Sequence, residues 1–414
     1  KTYGIYTSAP TLIVNFYDGI ITGEQSYNVA ISDVESGYSV HRDYDDNTNI
    51  ETKYLTNEPM LKNVTQNIIY NTLKDLRDAF SNGLVNNNDV ISVYRDITII
   101  NTEDPITIPS GIKIVFDENG KTVDKNNEKL FIINGELDIT DSDSNSNGEI
   151  RSYSGNIFDN NSTLNVISGS YTSERASVET EVIKNNENAT LNITGGTLTK
   201  YYDQFGQVPA PKGSIVNNNG ETKVTGGKFF TNASCSINGV YVFSSIAFNN
   251  EENGTLTVTG GEFDGITSNS IDYDGNVTNN TSGTSSETKG ILIYNYGSAS
   301  IKGIESNQSS MGFNSGSLTF DNVTMNNIIQ MSVDRWSSGR GGFANFTNTG
   351  DVDIINSNFN IKSEDNRHKI GKERLNINSK RNNSIKKFYN LKNNYNNILR
   401  ENSLNKSENI SYVY

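Results

Sequence analysis

One short cassette recurs along most of this chain, and it constrains the fold more than any other feature. Thr190-Leu191-Asn192-Ile193-Thr194-Gly195-Gly196-Thr197-Leu198 returns as Thr222-Lys223-Val224-Thr225-Gly226-Gly227-Lys228-Phe229, and again as Leu256-Thr257-Val258-Thr259-Gly260-Gly261-Glu262-Phe263. Looser copies lie at 137–142, 164–171, 299–304, 318–323 and 352–359, and 14–21 fits the pattern as well. Within each copy apolar and polar residues alternate, the period of a strand with one face buried. The Gly-Gly pair then permits a positive φ or a close approach of backbone, so that the chain bends before the next short strand. Asn-rich turns precede most copies, as at Asn160-Asn161, Asn185-Asn186, Asn217-Asn218-Asn219, Asn249-Asn250 and Asn314-Ser315-Gly316. Asn tolerates the left-handed region and bonds its own backbone, which suits a turn.

A unit of strand, bend, strand and turn cannot bury an apolar face alone, but it can when stacked on copies of itself. Taking the central apolar residue as marker gives Phe116, Ile139, Val166, Ile193, Val224, Val258, Ile301, Phe320 and Ile354, at intervals between 19 and 43 residues. A constant motif at irregular intervals means that the strands are kept while the loops vary. That argues against a β-propeller, whose blades need hairpins of near-constant length. The fold class expected is all-β: a right-handed parallel β-helix, or solenoid, of eight or nine coils with a short N-terminal capping helix. Composition agrees, because a hydrophobic fraction of 34% is too lean for one large spherical core and yet 17 Phe and 21 Tyr are present.

The capping helix is expected at 72–83, with Thr72 as N-cap, Asp75 completing a capping box, Leu73, Leu76 and Phe80 on one face, and Gly83 ending it. Its apolar stripe covers the open end of the solenoid, which otherwise exposes unpaired strand groups. Four segments follow. Residues 1–58 read as the end of a preceding β-helix unit or as edge strands, 59–87 as linker and capping helix, 88–362 as the β-helix, and 363–414 as a tail, disordered or out of frame. In that tail 13 of 52 residues are Asn, and Thr, Ala and Pro are missing, a vocabulary that A/T-rich codons produce. Lys1 is not an initiator Met, so the chain reads as an internal piece or a mature form. Two insertions, 200–213 and 267–290, read as long surface loops.

Charge bears on partners. The chain carries −14, and since the tail from Lys362 is +7, residues 1–361 carry −21. A surface that acidic repels nucleic acid and anionic membrane. No run of 18 apolar residues implies membrane insertion, and Cys235 as the sole cysteine excludes an internal disulfide.

The Thr-Leu-x-Ile/Val-Thr-Gly-Gly repeats, the helix before the first coil and the turn Ile139-Thr140-Asp141-Ser142 together resemble the pectate-lyase-type right-handed β-helix of large bacterial surface proteins. The resemblance spans roughly 72–361, plus a fragment in 1–58. It implies a scaffold shared by polysaccharide lyases, glycoside hydrolases, tailspikes and adhesins, so it leaves activity open. The hydrolase patterns it would bring (Asn-Thr-Asp, Asp-Asp, Gly-His-Gly, Arg-Ile-Lys) do not occur in the array. Asp45-Asp46, His41 and His368 lie outside the array, and Arg175 with Glu174, Glu179 and Glu181 is the nearest approach to a lyase cluster.

The remaining candidates are ligand-binding residues. Asp141, Asp143 and Asn145 alternate as oxygen ligands do at the start of a calcium loop, although Ser146 stands where that loop needs Gly and no Glu follows at the twelfth position; calcium is therefore the one cofactor considered. Trp336 with Arg335 and Arg340, and Tyr201 with Tyr202, are the ligand-like groups, and Phe205, Tyr294 and Tyr296 are further aromatics suited to stacking on sugar rings. The expectation is a non-catalytic, extracellular or cell-surface adhesin or display rod that binds glycans or host and matrix proteins. A β-helix lyase or hydrolase and a passive spacer are the alternatives.

Overall fold

The computed structural model describes residues 59–99, 104–125, 129–145, 147–152, 155–173, 180–200, 213–231, 242–265, 290–308, 310–329 and 346–362, together with isolated strands in 1–58 and at 233–235, 270–271, 277–278 and 377–379. Three long sheets dominate. Each coil contributes one short strand to each sheet, and every strand pairs in parallel with its counterpart one coil away. The molecule is a parallel β-helix solenoid.

Among the described residues ten coils are present rather than eight or nine. The first sheet runs from Asp89–Val93 to Asp351–Ile355, the second from Ile97–Ile99 to Asn358–Lys362, and the third from Ile106–Ile108 to Ile377–Ser379. Ile91, in register with Phe116, is the tenth marker. It lies in the strand-rich run 90–101, which by sequence opens the first coil without carrying a copy of the cassette. The last strand of the third sheet falls beyond residue 362, in the segment read from sequence as tail. At the usual spacing between strands ten coils make a stack roughly 45 Å long.

The core is a set of columns along the axis. All nine sequence markers are buried. Phe116, Phe131, Phe158 and Tyr171 run together with ring centroids 5.0–5.5 Å apart, and Phe229, Phe248 and Phe263 repeat the arrangement farther along. The two glycines of the cassette have separate reasons. A Cβ on Gly195, Gly226 or Gly260 would fall 2.1–2.2 Å from a carbonyl oxygen of the preceding coil, whereas Gly196, Gly227 and Gly261 adopt φ of +80°, +90° and +109°. The first permits close stacking and the second permits the bend.

The Asn-rich turns do something other than adopt left-handed backbone. Asn160, Asn185, Asn218, Asn250, Asn295, Asn314 and Asn348 are fully buried at one interior corner. Each of the first six passes a side-chain hydrogen bond to the next, Nδ2 to Oδ1, at 2.6–2.8 Å. A primary amide carries both donor and acceptor, so identical amides stacked coil on coil satisfy one another. Among the described residues the non-glycine positions with positive φ are other asparagines, including Asn119, Asn188 and Asn322.

At the N-terminal end the helix Leu73–Ser81 forms as read from sequence. Thr72 accepts from the Asp75 main chain and Asp75 accepts from the Thr72 main chain, and Leu73, Leu76, Ala79 and Phe80 are buried. An antiparallel hairpin, Leu61–Asn63 with Ile68–Tyr70, joins the first sheet beside Asp89–Val93 and completes the cap. In 1–58 the strands are Val14–Phe16, Ile20–Gly23, Ile31–Val34, Ser39–Asp45 and Ile50–Thr56.

Candidate binding site

Loop length varies almost entirely at one corner. From third to first sheet the chain needs two to four residues, and from first to second two to four except at 141–148. From second to third sheet it runs over 174–182, 201–213, 232–245, 266–290, 330–345 and 363–376. The irregular intervals in the sequence therefore have a single location. Two short antiparallel hairpins, Ala233–Cys235 with Val242–Ser244 and Ser270–Ile271 with Val277–Thr278, lie within these insertions.

The roots of the insertions rest on a polar column just inside this corner. Lys125, Ser152, Ser173, Lys200 and Thr231 occupy successive coils in register, all buried. Lys200 Nζ donates to Ser173 Oγ at 2.7 Å and Thr180 Oγ1 at 2.9 Å, and Gln308 Nε2 donates to Thr231 Oγ1 at 3.1 Å. Burial lowers the Lys200 pKa to about 7, opposed by the negative charge of Glu181. Glu181 is itself pushed up by burial, with the Asn217 amide and Lys200 pulling the other way.

Outside the third sheet the outward register position is Asp159, Lys184, Asn217 and Asn249 on successive coils, then Tyr294 and Phe313. The Phe313 ring lies 5.9 Å from Tyr294 and 5.4 Å from Tyr296, tilted by 51° and 46°. Tyr296 is exposed, and the other two rings are half-buried. Gly312 has φ of +108°, and a Cβ there would fall 1.8 Å from Ile293 O, so only glycine lets this strand sit so close beneath Phe313. Sequence reasoning singled out both tyrosines but missed Phe313, because its nearness to them comes from pairing between coils 19 residues apart. Burial raises the Tyr294 pKa, and burial with the Glu251 charge raises that of Tyr296, so both hydroxyls stay protonated at neutral pH.

The other sequence candidates are distributed as follows. Trp336, Arg335 and Arg340, and Tyr201 and Tyr202, lie outside the described residues, as do Phe205, Arg175, Glu174 and Glu179. The segment carrying Trp336 rejoins the solenoid at Phe346, whose strand pairs with that of Phe313. Asp141 is buried, with Oδ1 accepting from Gly120 N at 2.8 Å and Asp143 N at 3.0 Å, and Oδ2 accepting from Gly148 N at 2.8 Å. Asp143 Oδ2 accepts from Asn147 N at 3.3 Å, and Asn145 is exposed. The carboxylates read as calcium ligands thus serve main-chain donors of their own turn and of the coil before it. Among the described residues no group of three or more His, Cys, Asp or Glu is placed to hold a metal ion, and no helix is long and apolar enough to cross a membrane.

No protein-family model, no curated protein and no solved structure matches the chain.

Proposed function

We propose that this chain is the non-catalytic rod of an extracellular or cell-surface protein, of the pectate-lyase-type right-handed β-helix kind found in bacterial surface proteins, and that it contacts a glycan or a host or matrix protein along its insertion-bearing corner. The supporting observation is the confinement of long insertions to that corner while the other two corners turn within two to four residues on nearly every coil. A solenoid built this way holds many variable loops on one edge of a stiff support, an arrangement suited to extended recognition. Only the roots of the insertions enter the interior, as Thr180 and Val182 do.

The test uses the full chain and a variant in which 267–289 and 331–344 are replaced by short Gly-Ser links. Both are presented to a glycan array and to immobilised matrix proteins. Binding by the parent chain that the variant loses, with unchanged circular dichroism, supports the reading. Failure of the parent chain to bind anything leaves a spacer, and release of reducing or unsaturated ends from polysaccharide makes it an enzyme.

A further inference from the structure

We infer that Tyr294, Phe313 and Tyr296 form a stacking platform for a neutral oligosaccharide, with Asn249 and Glu251 at its rim supplying hydrogen bonds. The inference rests on the proposed function above and gives that surface a place and a ligand class.

The platform is unusual for its position. The outward register of the third sheet carries Ile132, the buried Asp159, then Lys184, Asn217 and Asn249 on successive coils. At Tyr294 and Phe313 it becomes aromatic on two adjacent coils, and Tyr296 adds a third ring from the turn. These rings are outside the barrel and cannot contribute to its core. One exposed ring beside two half-buried ones, rimmed by polar groups, is a partly open aromatic surface of the kind that marks a contact site.

The rim decides what kind of contact. Asn249 Nδ2 donates to Glu251 Oε1 at 2.7 Å, which leaves the Asn249 carbonyl and the second Glu251 oxygen as acceptors, and the two tyrosine hydroxyls keep their protons. An apolar protein anchor would leave these groups unpaired, at a cost. A sugar ring suits both halves: its C–H face lies on an aromatic ring while its hydroxyls meet amide and carboxylate. Glu251, and the −21 carried by residues 1–361, disfavour sulfated or uronic sugars by like-charge repulsion. The ligand class is therefore neutral, and polygalacturonate is excluded from this platform.

The experiment compares the full chain with Phe313→Ala, Tyr296→Ala and, as a control, Tyr94→Ala, an exposed tyrosine at the capping end, on an array holding neutral and acidic oligosaccharides. Neutral glycans bound by the parent chain and by Tyr94→Ala, but about tenfold more weakly by the two platform variants, are expected from the loss of one stacking ring. Binding of acidic glycans alone, or neutral binding untouched by either platform substitution, overturns the inference. If neutral binding survives those substitutions yet disappears when 331–344 is replaced, the platform reading fails while the proposed function stands. If no glycan binds but a matrix protein does, the outcome is the same.

Discussion

Glu118 sits on the corner between first and second sheets with no exposure, and neither carboxylate oxygen has a hydrogen-bond partner of good geometry. The Tyr171 hydroxyl beside it is spent on Ser168 O. Burial therefore raises the Glu118 pKa well above 4.5, the nearby Tyr171 hydroxyl offsets part of this, and the charge of Asp141 adds to the rise. A carboxyl whose folded pKa is raised binds its proton more tightly in the folded chain. Its contribution is present below pH 4.5 and is lost as the pH climbs toward the folded value. Glu118→Gln, which stays neutral, should raise the unfolding midpoint at pH 7 and change little at pH 4. Thermal melts at the two pH values check this, and equal shifts at both would show that charge is not the cause. Nothing in the sequence marked Glu118, since it is one acidic residue in a polar turn until the coils above and below close over it.

Among the elements, the asparagine ladder carries the clearest consequence. Asn250 Nδ2 reaches Asn295 Oδ1 at 2.7 Å and Ser298 O at 3.1 Å, and its own Oδ1 accepts from Asn218 at 2.7 Å. Asn250→Asp exchanges the donor for a second acceptor and buries a charge facing two oxygens. Leaving such groups unpaired costs about 3 kcal/mol or more, against roughly 1 kcal/mol for removing the helix cap in Thr72→Ala. Urea denaturation of both variants should reproduce that order. The helix itself was legible because its signals are local: Thr72, Asp75 and the Leu73, Leu76, Phe80 stripe lie within nine residues. The ladder was not, because each asparagine looks like a turn residue, and its partner is 19 to 45 residues away.

For the whole molecule, each coil contacts chiefly its neighbours, so stability is a sum of coil and interface contributions rather than a property of one core. The first coil is covered by the helix and hairpin, whereas the central coils have neighbours on both sides. Hydrogen exchange followed by mass spectrometry should therefore be slowest in strands such as Thr190–Ile193, Glu221–Val224 and Thr255–Val258, and faster in Asp351–Ile355 near the other end. A uniform protection pattern would be incompatible with a quasi-one-dimensional stack. The same construction explains why the insertions are tolerated: extra length at a corner adds a loop without disturbing the register of the strands on either side.

Two levels of cause meet in this protein. Alternation and the Gly-Gly bend are local properties of backbone and side chain, so the cassette by itself determined that short strands would stack in one direction, and nine coil markers, with the strand-rich run 90–101 opening the first coil, could be read directly. Which residues become neighbours depends on how many residues each coil spends before returning. That closure put seven asparagines in one file, set Phe313 between Tyr294 and Tyr296, and sealed Glu118 away from water. Only the tertiary structure decided these, because contact between coils is fixed by position around the axis and not by distance along the chain.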